Sequence, residues 1–231
     1  MSITIKSTRK NLERYAAEVI ESCIKKLLKK QRKVVCAIPG GRSVSGIFEK
    51  LKEAAIPWEN VHLFMLDERI VPLDDESSNF KVAKESFIEP LIKKNVLPKE
   101  NVHPFVMDAS KGDLGLSHYE QLFIQCGGKL DVALLSAGED GHIASLFPNH
   151  HSIKNEAPFF LRVHNSPKPP KKRITMSKSL ILSAQYGIIL FFGKEKRTAY
   201  NLFIDDEVDI VSCPAKVALA IKDSFVFTDI D

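Results

Sequence analysis

The chain has 231 residues, 44% of them hydrophobic, and its 33 basic and 29 acidic residues leave a net charge of only +4. That length suffices for one sizeable core, and the near-balance of charge argues against a nucleic-acid partner. No apolar run approaches the ~20 residues of a membrane span, and Met1-Ser2-Ile3-Thr4-Ile5-Lys6 lacks the apolar stretch of a secretory signal. Cys23, Cys36, Cys126 and Cys213 are scattered among apolar residues without a C-x-x-C pair. They read as buried reduced thiols of a cytoplasmic protein, not as zinc ligands.

In chain order, Leu12, Tyr15, Ala16, Val19, Ile20, Cys23, Ile24, Leu27 and Leu28 recur at helical spacing. The basic cluster from Lys25 to Lys33 then reads as a solvated helix end, where cations are favoured. Val34-Val35-Cys36-Ala37-Ile38 is a continuous apolar run that suits a strand buried on both faces. A helical pattern through Ile47, Phe48 and Leu51 follows, then a strand from Val61 to Leu66. A helix from Phe80 to Lys94 has Ser77, Ser78 or Asn79 as its N-cap. A helix from Leu114 to Cys126 leads to a strand from Asp131 to Ala137. Tyr186 to Phe192 is a strand, Thr198 to Ile204 a helix, and Ser224 to Thr228 a final strand. This alternation predicts a single α/β domain with a mostly parallel sheet and helices on both faces.

In such sheets ligands bind beyond the carboxyl ends of the strands, so the residues just after each strand carry the functional signal. Gly40-Gly41-Arg42-Ser43 follows the first strand and opens a helix. Free N–H groups and the helix dipole suit a phosphate there; the bland alternative is a tight turn with Ser43 as N-cap. The spacing matches neither a P-loop nor a dinucleotide fingerprint. Asp67-Glu68-Arg69 places three charges where the next strand ends, as part of a site or as a solvated ion cluster. Asp74, Asp75 and Glu76 lack the spacing of a metal loop and read as a charged surface turn. Asp140-Gly141-His142 supplies a general base with a carboxylate beside it. The other histidines (62, 103, 118, 150, 151 and 164) lack that setting, although His150 is near enough in sequence to share the pocket.

At these residues the chain resembles the 6-phosphogluconolactonases. The matching segments are Gly40 to Ser43, Trp58 through Asp67-Glu68-Arg69-Ile70-Val71-Pro72, Ser78-Asn79, and Gly138 through Asp140-Gly141-His142-Ile143-Ala144-Ser145-Leu146-Phe147-Pro148. Arg173-Ile174-Thr175 and Gly193-Lys194-Glu195-Lys196 match more weakly. Many members carry Thr-Pro where this chain has Ser43-Val44, and a small residue where it has Pro39. The resemblance implies a Rossmann-like three-layer α/β/α fold shared with amino-sugar-phosphate deaminases and ribose-phosphate isomerases. It also implies hydrolysis of 6-phospho-D-glucono-1,5-lactone in the oxidative pentose phosphate pathway, with no cofactor.

On that reading His142 takes the proton of the attacking water and Asp140 or Asp67 orients it. Arg69 or loop N–H groups stabilise the oxyanion. Gly40, Gly41, Arg42 and Ser43 hold the phosphate, with positive charge from Arg173 and Lys196. Metal ligands, nucleic acid and membrane are not expected, and the chain is expected as a monomer or weak homo-oligomer. The basic stretch from Lys168 to Lys178 is either a proline-stiffened rim of the site or a solvated loop. A deaminase of the same fold would have a glutamate where Phe147 stands, and Phe147 cannot transfer protons. A sugar-phosphate-sensing regulator would need a DNA-binding module, for which the segment before the first strand has too few helices.

Overall fold

The computed structural model describes residues 2–230, apart from the side chain of Arg42. The chain begins with strand β1 (Ser2–Lys6), helix α1 (Arg9–Leu28), β2 (Val34–Ile38), α2 (Ser45–Leu51), β3 (Val61–Met65) and β4 (Asp67–Arg69). Helix α3 (Asn79–Ala83) runs through a π-helical turn (Lys84–Ile88) into α4 (Glu89–Lys93), followed by β5 (Val102–His103), α5 (Leu116–Gln125) and β6 (Val132–Ser136). Next come α6 (His151–Lys154), β7 (Phe160–Val163), β8 (Arg173–Met176) and α7 (Lys178–Leu182). The chain ends with β9 (Tyr186–Phe191), α8 (Arg197–Ile204) and β10 (Asp223–Thr228).

Seven strands form one sheet in the order β1-β10-β9-β6-β2-β3-β5, and every pairing in it is parallel. The central strands read as unbroken apolar runs because both of their faces are covered. In β2, Val34, Cys36 and Ile38 pack against α1, α2 and the α3–α4 helix, while Val35 and Ala37 face the layer of α5, α7 and α8. Leu63 and Met65 of β3 divide from Phe64 in the same way. The result is the expected three-layer α/β/α arrangement.

A second sheet, β4-β8-β7, is antiparallel and stands at the carboxyl end of β3. Its three strands are absent from the sequence reading, since Asp67-Glu68-Arg69 and Arg173 carry charge where an apolar pattern would mark a strand. β1 is likewise an unforeseen edge strand, and its mostly exposed residues explain the weak signal. The predicted helix from Phe80 to Lys94 is interrupted by the π-helical turn just before Pro90, whose missing N–H breaks the regular ladder. Ser78 is its cap, accepting from the Lys81 N–H at 3.1 Å.

Candidate active site

The ends of β2, β3, β6 and β9 bring the polar segments together. Gly40, Asp67, Arg69, His142, Arg173 and Lys196 line one cavity of about 160 Å³, with Asn79 and Lys168 on the same wall. Gly41 and Ser43 are not on that wall. The chain turns at Gly41 (φ +99°), forms a 3-10 turn over Arg42–Val44, and starts α2 only at Ser45 with Val44 as cap residue. Ser43, the alternative N-cap, is not the cap residue of α2, and its carbonyl lies 3.5 Å from Arg9 Nη2. The Arg42 side chain lies outside the described residues.

His142 Nδ1 donates to Asp140 Oδ1 at 2.5 Å, and the His142 backbone N–H lies 3.4 Å from the same oxygen. With Nδ1–H committed, Nε2 carries the lone pair, which is the tautomer a general base needs. Burial alone would raise the Asp140 carboxyl. The His142 hydrogen bond and the charges of His142 and Lys168 outweigh burial and hold it well below the ordinary carboxylate range. A depressed pKa stabilises the folded chain above the free aspartate value of about 3.9, and that stabilisation is lost only as the pH falls toward the folded value. The anion of Asp140 therefore persists across the neutral range. Gly138 makes room for the pair: a Cβ there would lie 2.0 Å from His142 Nδ1 and 2.8 Å from Asp140 Oδ1. Phe147, fully buried, packs its ring 4.9 Å from that of His142.

Asp67 does a different job. Its carboxylate accepts from Ser145 Oγ at 2.6 Å and from Asn79 Nδ2 at 3.1 Å, so Asp140 and not Asp67 holds the imidazole. Glu68 is buried and anchors the start of α3. Oε1 accepts from the N–H groups of Arg69 and Asn79, both at 2.7 Å, while Oε2 accepts from the Phe80 N–H at 2.7 Å and Ser78 Oγ at 3.1 Å. Burial pushes its carboxyl up against these donors. Glu68→Gln should destabilise the fold by about 2–3 kcal/mol, because either amide orientation points an NH₂ group at two donors. Urea denaturation measures it, and a change of less than about 1 kcal/mol would contradict the arrangement.

Arg69 donates from Nη1 to the Ser77 carbonyl at 2.6 Å, but its Nε is buried with no partner among the described residues. An unmatched buried donor costs about 1–3 kcal/mol, so an oxygen supplied by a ligand is favoured there. The Lys196 backbone N–H donates to the Gly193 carbonyl at 3.0 Å, while its ammonium makes no hydrogen bond or ion pair among the described residues. Burial lowers its ammonium, against the charges of Glu139 and Glu195. Lys168 reaches Asp140 at 3.5 Å, which brings the start of the basic loop onto the site.

Arg173, expected to bring positive charge to the phosphate, is heavily engaged by the protein itself. It is 3% exposed, and its guanidinium donates to the carbonyls of Pro170 (2.9 Å), Lys168 (3.0 Å) and Pro169 (3.0 Å) and to Ser145 Oγ (3.3 Å). The side chain lines the cavity but spends most of its N–H groups holding the 168–170 loop. His150 also stands apart from the cavity, capping α6 and meeting Asn165 Oδ1 at 3.0 Å. The sequence assigns no individual role at the site to Glu68, Asn79, Ser145 or Lys168, although the first three lie inside the segments of resemblance and Lys168 opens the basic stretch.

The model of the glucosamine-6-phosphate isomerase/6-phosphogluconolactonase family matches residues 7–227. The chain belongs to this family. It is 30% identical over 193 residues to the 6-phosphogluconolactonase of Borreliella burgdorferi, covering 84% of this chain and 82% of that one. It is 32% identical over 183 residues to the 6-phosphogluconolactonase of Thermotoga maritima, with 79% and 80% covered. The crystal structure of the Thermotoga maritima 6-phosphogluconolactonase superposes with a TM-score of 0.83 at 26% identity, covering 99% of both chains.

Proposed function

We propose that the protein hydrolyses 6-phospho-D-glucono-1,5-lactone to 6-phospho-D-gluconate, the second step of the oxidative pentose phosphate pathway. The observation that carries this reading is the Asp140–His142 pair, with Nε2 left as acceptor, in a cavity that also holds unpaired cationic donors. The named relatives support the same substrate.

In the proposed reaction a water attacks C1 of the lactone while His142 Nε2 takes its proton. Arg69 Nε stabilises the oxygen that gains negative charge. The C1–O5 bond then breaks, and the imidazolium returns the proton to O5. Lys196 and Lys168 hold the phosphate at the other end of the cavity, with the Gly40 backbone at its side. Asp67 and Arg173 position Ser145, Asn79 and the 168–170 loop. Phe147 fills the place where a deaminase needs a proton-transferring glutamate, and its burial against His142 supports lactone opening over deamination. The whole chain acts as one lactonase domain in the cytoplasm, as a monomer or weak homo-oligomer, without a catalytic metal.

Lys196→Ala should raise KM by at least about tenfold and change kcat little, since a phosphate remote from C1 is held alike in ground and transition states. A fall in kcat at unchanged KM would place Lys196 in the chemistry. The test of the overall reading is lactone opening by chelator-treated protein, followed as 6-phosphogluconate formed above the spontaneous rate. Loss of activity on chelation with recovery on adding metal, or ammonia release from glucosamine 6-phosphate in place of lactone opening, would overturn it.

A further inference from the structure

The opposite end of β3 carries a second cluster of reactive side chains that the lactonase chemistry does not use. His62 is the second residue of β3, His103 ends β5, and Cys126 follows the last turn of α5. His62 Nδ1 lies 3.0 Å from His103 Nε2, and Cys126 Sγ lies 3.5 and 3.6 Å from these two nitrogens. The three side chains come from positions 41 and 64 residues apart, so no motif announces them.

Packing fixes the cluster. Phe123 of α5 meets Phe64 of β3 edge-on with ring centres 5.2 Å apart, and the His103 ring stacks on Phe64 at 4.3 Å. Phe64 and His62 share a face of β3, so the next turn of α5 delivers Cys126 over His62. Both imidazoles are half-buried and Cys126 is 8% exposed.

The two N···S separations match those of ligands around one ion, and the N···N separation of 3.0 Å, now within hydrogen-bond reach, need open only by about 0.3 Å. With Zn–N of about 2.0–2.1 Å and Zn–S of about 2.3 Å in a tetrahedral site, N···N is about 3.3 Å and N···S about 3.6 Å. Two imidazoles and a thiolate also form a donor set suited to zinc, whereas magnesium and calcium take oxygen. Burial lowers both imidazoles, His103 to about 4. Burial raises the Cys126 thiol, against the charge of Lys33, whose ammonium donates to the Gln125 carbonyl at 3.1 Å.

We propose that His62 Nδ1, His103 Nε2 and the Cys126 thiolate bind one zinc ion, with a solvent oxygen as fourth ligand, clamping β3, β5 and α5 at the end of the sheet away from the active site. Binding releases the Cys126 thiol proton and involves no redox change.

The test uses the full chain, reduced and stripped with a chelator, then titrated with cobalt(II) and zinc. One equivalent of cobalt should give a near-ultraviolet thiolate-to-cobalt charge-transfer band with the visible bands of tetrahedral cobalt, and zinc should abolish both. The band should persist in His142→Asn and vanish in Cys126→Ser. His62→Gln should weaken zinc binding more than about 100-fold, beyond the loss expected for an outer-sphere contact. In the wild-type chain, zinc should protect Cys126 from alkylation, as read by peptide mass spectrometry, so the proposal does not depend on the variants folding. Cobalt binding without a sulfur band, a band that survives in Cys126→Ser, or alkylation of Cys126 at the same rate with and without zinc would each overturn it.

Discussion

His142→Asn is expected to lower turnover about 10²–10⁴-fold, the range general-base assistance supplies. Asparagine keeps a donor near Asp140 and fits beside Phe147, so the 138–148 loop should hold its shape and the affinity for 6-phosphogluconate should stay within about threefold of wild type, under 1 kcal/mol. The substitution thus separates shape from basicity. Six-membered lactones open readily in water, so rates must be compared after subtracting the spontaneous reaction. If more than about a third of wild-type turnover remained, far outside the range for a lost base, the proton acceptor would lie elsewhere, and Asp67 would be the first group to examine.

Gly138→Ala is expected to cost at least about 10²-fold in kcat, although it touches no substrate atom. A methyl group at this position would sit 2.0 Å from both Nδ1 and Cε1 of His142, so the imidazole must swing away or the loop must shift. A displacement of about 1 Å in a catalytic group can cost about 10²-fold. Overpacking adds about 1–3 kcal/mol of lost stability, so the assay should be run where urea denaturation shows the variant fully folded. Combining Gly138→Ala with His142→Asn should cost little more than His142→Asn alone, since both act through one group. Wild-type turnover in Gly138→Ala, or simple additivity in the double variant, would show that the pair is not held as the structure describes.

The strands of the large sheet were legible where burial on two faces writes an unbroken apolar run. Val34–Ile38 has the same bounds in sequence and structure for that reason. The small sheet was not legible, because β4 and β8 bear charges that build the site and β7 is only four residues long. Asp67 of β4 and Arg173 of β8, whose charged groups lie 3.8 Å apart, satisfy those charges through tertiary partners that no local pattern records. His142 stood out through its D-G turn after a buried strand, but the choice between Asp140 and Asp67 as its partner needed the hydrogen bonds themselves. Arg173, read from the sequence as positive charge for the phosphate within a basic stretch that includes Lys171 and Lys172, does line the cavity. Its own side chain turns inward onto three carbonyls of the same loop. The His62–His103–Cys126 cluster was invisible for a related reason: its ligands arrive from three separate elements, and their spacing matches no metal motif.

The most direct measurement is a crystal structure with 6-phosphogluconate bound. The account predicts the C1 carboxylate within hydrogen-bond reach of His142 Nε2 and Arg69 Nε, and the phosphate between Lys196 and Lys168. A ligand bound in the reverse direction, with its phosphate on His142, or one held outside this cavity, would contradict it.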